Sequence, residues 1–172
     1  MQIRVIFSVV LLFGVLPIGA QSTPYKAADS AWTKLEFVLG RWTGTAGEKD
    51  TPLGAGQGGF SFEPELNQKI IIRHSRADYN SGARHEDLMV IFLDPPDETP
   101  RALYFDTEGH VIRYNLSFPS PDSVIFESDA TESGPRFRLS YWMKGTELDG
   151  KFEVAPPGAQ YKTYMSWTSK KD

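Results

Sequence analysis

The chain has 172 residues, with 18 basic and 22 acidic side chains, a formal net charge of −4 and no cysteine. Without cysteine there is no disulfide framework, zinc ribbon or thiol chemistry. Without a basic patch beyond Lys170 and Lys171 the acidic chain lacks the electrostatic footprint of a nucleic-acid partner.

Arg4 is followed by an almost wholly apolar run, VIFSVVLLFGVLPIGA from Val5 to Ala20, which ends in small residues. This is the pattern of a secretory signal peptide with cleavage after Ala20. The run stops short of the ~20 residues that span a bilayer, and Pro17, Gly19 and Ala20 favour cleavage over retention as an anchor. Residues 1–20 are therefore expected to be a signal peptide, 21–28 a flexible leader and 29–172 one domain. A secreted or periplasmic protein with no stable membrane anchor after cleavage follows.

DSAWTKLEFVLG, from Asp29 to Gly40, reads as one short helix. Asp29 or Ser30 can cap its start. Ala31, Trp32, Leu35, Val38 and Leu39 fall at helical spacing, and Gly40 can end it.

Beyond Gly40 the apolar period changes to two. About ten strand-like runs follow: Arg41–Ala46, Gly58–Glu63, Lys69–Asp78, His85–Leu93, Arg101–Asp106, His110–Ser117, Ser123–Ser128, Arg136–Met143, Leu148–Ala155 and Tyr161–Ser169. Between them lie NSGA, DPPDETP, TEG, PSPD, ESGP, KGTE and PPGA, segments rich in turn-forming residues. Short connections make neighbours antiparallel. Closing such a sheet removes its exposed edges, and at about ten strands it leaves a lumen too wide for side chains to fill. The expected fold is all-β: an antiparallel up-and-down β-barrel of about ten strands with a short N-terminal helix closing one end. A two-sheet sandwich fits the same pattern of runs.

GRWTGTAG, from Gly40 to Gly47, places a G-x-W at the start of the first strand. With the preceding helix, the strand meander and the basic tail, it resembles the start of calycin-superfamily barrels: lipocalins, fatty-acid-binding proteins and nitrobindin-like proteins. The pattern is most similar to the nitrobindin-like branch and its bacterial relatives. The resemblance implies structural roles for Gly40 and Trp42, the tryptophan closing one barrel end with Lys170 or Lys171 packed on its ring through a cation–π contact. It also implies haem held by a histidine near the C-terminus. Here the sequence departs, because the histidines are His74, His85 and His110 and none follows His110. Haem stays a minor alternative, and no metal or other cofactor is expected.

GAGQGG, from Gly54 to Gly59, lacks the Lys-Ser/Thr and the helix of a phosphate loop and reads as a hairpin loop at the rim. RHEDLMVIF and FDTEGHVIRY carry the most polar chemistry. If NSGA and TEG are tight turns, one mouth collects Arg76, Asp78, His85, Asp87, Asp106 and His110. Such a group could ligate a metal, act as acid and base or form a salt-bridged rim, and a one-residue register slip would send these side chains to opposite faces. No H-x-H or H-E-x-x-H spacing adds weight to a metal.

From His110 onward the set His110, Ile112, Tyr114 and Leu116 is more apolar than Val111, Arg113, Asn115 and Ser117, so it should face inward. His110 at the mouth, bonded to Asp106 or to a ligand, and Tyr114 on the wall are candidate ligand contacts, with Tyr104 and His85. Arg138, in RFRLSYW, either faces water or pairs with a ligand carboxylate inside, the clamp that fatty-acid-binding proteins suggest. NLS at Asn115 fits a glycosylation acceptor in a eukaryotic host.

The function these features suggest is an exported barrel holding a small apolar or amphipathic molecule. The alternatives are an enzyme (isomerase, cyclase or hydrolase) using His85 or His110 as base in the same cavity, and a filled barrel serving as an interaction module.

Overall fold

Alternation of apolar and polar side chains from Gly40 onward produces ten strands. They are β1 (Gly40–Ala46), β2 (Gly56–Glu65), β3 (Ile70–Tyr79), β4 (Arg84–Asp94), β5 (Thr99–Asp106), β6 (Val111–Ser120), β7 (Ser123–Ser128), β8 (Arg136–Lys144), β9 (Glu147–Ala155) and β10 (Lys162–Lys171). The computed structural model describes residues 31–95, 98–130 and 134–172. The expected signal peptide, the leader, and the caps Asp29 and Ser30 lie outside the described residues. Each strand pairs antiparallel with its sequence neighbours, and β1 pairs with β10 to close an up-and-down barrel. There is no second sheet among the described residues, so the sandwich is set aside.

The expected helix is replaced by a six-residue 3₁₀ helix, Thr33–Val38. Trp32, Leu35 and Val38 recur at intervals of three, the period of a 3₁₀ turn, whose residues i and i+3 eclipse. That stacks Leu35 and Val38 in one line, both fully buried beside Trp42. Leu39 is already extended, and the chain passes directly into β1.

This end of the barrel is solid. Trp42 is 2% exposed, its indole N–H donates to the Val38 carbonyl at 2.8 Å, and Lys171 Nζ lies 5.4 Å from its ring centroid. The Lys171 stem passes so close to Gly40 that a Cβ there would meet its Cε at 3.0 Å. Phe62, Ile71, Met89, Ile91, Val124, Phe126, Tyr141 and Leu148 fill the adjoining half of the interior.

The other half is hollow for a reason written in the first three strands. Their inward residues toward that end are Gly44, Ala46, Gly56, Gly58, Ser75 and Ala77, all of which border the cavity. Gly56 to Gly59, expected as part of a rim loop, belong to β2. The chains run so close there that a Cβ on Gly58 would sit 2.3 Å from the Arg76 carbonyl oxygen. Small residues on one side of a wide barrel leave space that the aromatic side chains opposite do not reach.

The β3–β4 hairpin corrects a register. A tight NSGA turn would set Asp78 beside His85, but the observed pairs are Asp78 with Arg84, Ala77 with His85, Arg76 with Glu86 and Ser75 with Asp87. The Tyr79 N–H donates to the Ala83 carbonyl, and Gly82 sits at φ +86°. This is a three-residue loop with a left-handed final position. The one-residue shift sends Arg76 and Asp78 outward, where they pair with Glu86 and Arg84, and turns His85 and Asp87 inward.

Candidate functional site

The lumen encloses a cavity of about 560 Å³, within the ~300–1,000 Å³ range of small-molecule sites. It opens at the end carrying the 80–83 and 107–109 turns, where Ala83, Arg84, Glu108 and His110 border it. Most of its wall is apolar: Phe60, Ile112, Tyr114, Phe137, Leu139, Phe152, Met165 and Trp167. One side is polar, and its groups form a single line from the core to the rim.

The line begins at Arg73, an inward residue of β3 only 5% exposed. Its guanidinium pairs with Asp87 of β4 and faces the rings of Phe60, Tyr141 and Phe62 at 5.5, 5.9 and 6.0 Å. Burial works against the cation, but Asp87 and the neighbouring tyrosines more than offset it, so the guanidinium stays charged. Among the described residues its Nε has no hydrogen-bond partner.

His85 comes next. Its Nε2 lies 3.4 Å from Asp87 Oδ2 and 3.0 Å from the Tyr104 hydroxyl. Its Nδ1 lies 3.2 Å from Glu108 Oε2. The hydrogen bond to Asp87, with Glu108 adding to it, raises the imidazole above its ordinary value against the opposing effect of burial. Tyr104 donates to Asp106 Oδ2 at 3.2 Å. Burial, then the charges of Asp87 and Asp106, push its phenol well above the ordinary range.

Asp106 ends the line as the pin of the 107–109 turn. Its Oδ1 accepts from the backbone N–H groups of Glu108 and His110, and its Oδ2 lies 2.8 Å from His110 Nδ1. Burial would raise its carboxyl, but the bonds from His110 and Tyr104 hold it below the ordinary value.

The candidate residues thus fall in different places. His85 and Tyr104 meet in the polar line. Tyr114 is 2% exposed and packs edge-on against Tyr104 and Phe126. Val111 and Arg113, opposite in parity to Tyr114, are exposed. His110 stands at the mouth, its side chain 65% exposed and tied to Asp106. Trp42 and Gly40 lie at the opposite, closed end.

Arg138 departs from the clamp reading. Phe137, Leu139 and Tyr141 take the inward parity of β8, so Arg138 points outward, with Nε 2.7 Å from Glu153 Oε2 and its guanidinium 4.1 Å from the Tyr161 ring. Asn115, also outward, donates its side-chain amide to Asp129.

Arg73 is the residue that sequence reasoning missed. The signal lies in IIIRHSRADY, where His74, Arg76 and Asp78 mark the wet face of the strand. Arg73 is the one charge among Ile71, Ser75, Ala77 and Tyr79 on the other.

No family model matches the chain, and no curated protein matches it in sequence. Its fold does have solved counterparts. The crystal structure of Rv2717c from M. tuberculosis is similar at a TM-score of 0.56, with 12% identity over 84% of this chain and 99% of that one. EF1p2_mFAP2b, in a structure bound to DFHBI, is similar at a TM-score of 0.46 and 10% identity, over 81% of this chain and 98% of that one. At 12% identity the likeness to the mycobacterial protein is one of fold.

Proposed function

We propose that this is an exported calycin-type barrel that carries a small, largely apolar or amphipathic molecule in its lumen. One observation carries the reading: a cavity closed at one end, open at the other, apolar on most of its wall and hydrogen-bonding along one line. An apolar body would lie against Phe60, Tyr114, Leu139, Phe152 and Trp167. A polar head would meet Tyr104, His85 or His110 near the mouth. Arg73, the inward guanidinium, is already neutralised by Asp87, so a neutral head suits the site better than a carboxylate. The Trp42–Lys171 contact supports the calycin assignment.

Haem does not fit these residues. The C-terminal strand turns Met165, Trp167 and Ser169 to the lumen and offers no imidazole where the calycin resemblance implies the haem ligand. An enzyme with His85 as base is the second reading, favoured by its hydrogen bond to Tyr104.

Mass spectrometry of protein purified under native conditions from its own host tests the carrier reading. One class of small molecule, released on denaturation, is the expected result. Empty protein that converts a candidate molecule would favour the enzyme. Export rests on Val5 to Ala20, and N-terminal sequencing of the mature protein should begin at Gln21. An intact Met1 in the membrane fraction would mean a retained anchor.

A further inference from the structure

We infer that His85, Asp106 and Glu108 form a binding site for a divalent transition-metal ion, of which Zn²⁺ is the type, at the mouth of the lumen. One donor atom from each of the three lies within 4.8 Å of the others. The closest pair, His85 Nδ1 and Glu108 Oε2, is 3.2 Å apart, near the ~3.3 Å separation of two ligands tetrahedrally placed around zinc at about 2.0–2.1 Å.

The tautomer of His85 follows from the network around it. Tyr104 gives its proton to Asp106, so its oxygen accepts from His85 Nε2, and Asp87 stands behind the same nitrogen. Nε2 therefore carries the hydrogen, and the Nδ1 lone pair faces Glu108. A lone pair opposite a carboxylate calls for a cation between them. A proton on Nδ1 satisfies Glu108 alone, whereas a metal ion would also engage Asp106, one of whose bonds from Tyr104 or His110 would give way to it.

The surrounding groups match what a metal-ligating histidine requires. The far nitrogen of such a ring is held by a carboxylate that fixes its tautomer and orientation. Here Asp87 is that carboxylate, and it is itself anchored by Arg73. Asp106 is held by two backbone N–H groups and His110. Glu108 is exposed and already reaches His85 Nδ1. Asp87, Asp106 and Glu108 border the cavity at this side, Arg73 lies deep against Asp87, and Arg76 and Arg84 at the mouth are paired with Glu86 and Asp78. One imidazole and two carboxylates suit Zn²⁺ or Co²⁺. The inference does not depend on a lumenal ligand, and each can fail alone.

The test is titration of tag-free protein with Zn²⁺ by calorimetry and with Co²⁺ by visible absorption. One ion per chain is expected, with Co²⁺ d–d bands. Glu108→Gln, at an exposed position, and His85→Gln should each weaken binding about tenfold or more in protein whose circular dichroism shows it folded. His74→Ala, on the outer face, should leave it unchanged. Absence of stoichiometric binding, or binding that survives Glu108→Gln and His85→Gln undiminished, would overturn the site.

Discussion

Arg73→Met is expected to destabilise the protein by about 3–5 kcal/mol, the usual result of removing one partner of a buried ion pair. Both side chains of the pair are almost fully enclosed, at 6% and 5% exposure. Methionine preserves much of the volume between Phe60, Phe62 and Tyr141 but leaves the buried Asp87 with His85 as its remaining partner. The double change Arg73→Met with Asp87→Leu should recover most of the loss, because an apolar pair of similar volume avoids the desolvation of both ions. Urea unfolding of the single and double variants measures this. A single-variant loss below about 1 kcal/mol would mean that water entering from the mouth solvates Asp87.

Trp42→Ala should lose about 3–5 kcal/mol, as truncations of buried aromatic residues do. The indole fills the closed end, bonds the Val38 carbonyl and lies under Lys171. Trp42→Phe keeps part of the packing and should lose less, the hydrogen bond contributing about 1 kcal/mol. Since the cavity lies toward the other end, probe affinity per folded molecule should be unchanged in Trp42→Phe. Normal stability with lost binding would instead make Trp42 a ligand contact.

The strands were legible because a half-buried sheet writes its period directly into the chain. Ser123–Ser128 coincides with β7 to the residue, and the runs for β1, β3, β4, β8 and β9 agree to within one residue at each end. The helix misled because Trp32, Leu35 and Val38 satisfy a period of three as well as 3.6, and Leu39 tipped the reading toward the longer turn. At Asn80–Gly82 the error was one residue of loop length, which pattern alone does not report, and it reversed the faces of Arg76 and Asp78. Inward placement of Ile112 and Tyr114 was readable from apolar content. The contacts of His85 with Tyr104 and Glu108 were not, since these come from β5 and the turn after it, whose register against β4 is set separately, whereas Asp87 shares the face of His85 by the parity of one strand. Arg73 was hidden by the expectation that arginine faces water, which fails where a facing strand supplies a buried carboxylate.

The most direct test of a lumenal binding site is titration with the neutral fluorophore N-phenyl-1-naphthylamine, comparing the wild-type protein with Leu139→Trp. Leu139 borders the cavity and is 6% exposed, so an indole at that position occupies the space without altering the mouth. The expected result is binding of one equivalent to the wild type, with an affinity on the order of micromolar, and loss of that binding in a folded Leu139→Trp variant. No binding to the wild type, or equal binding to both, would contradict a ligand-holding lumen.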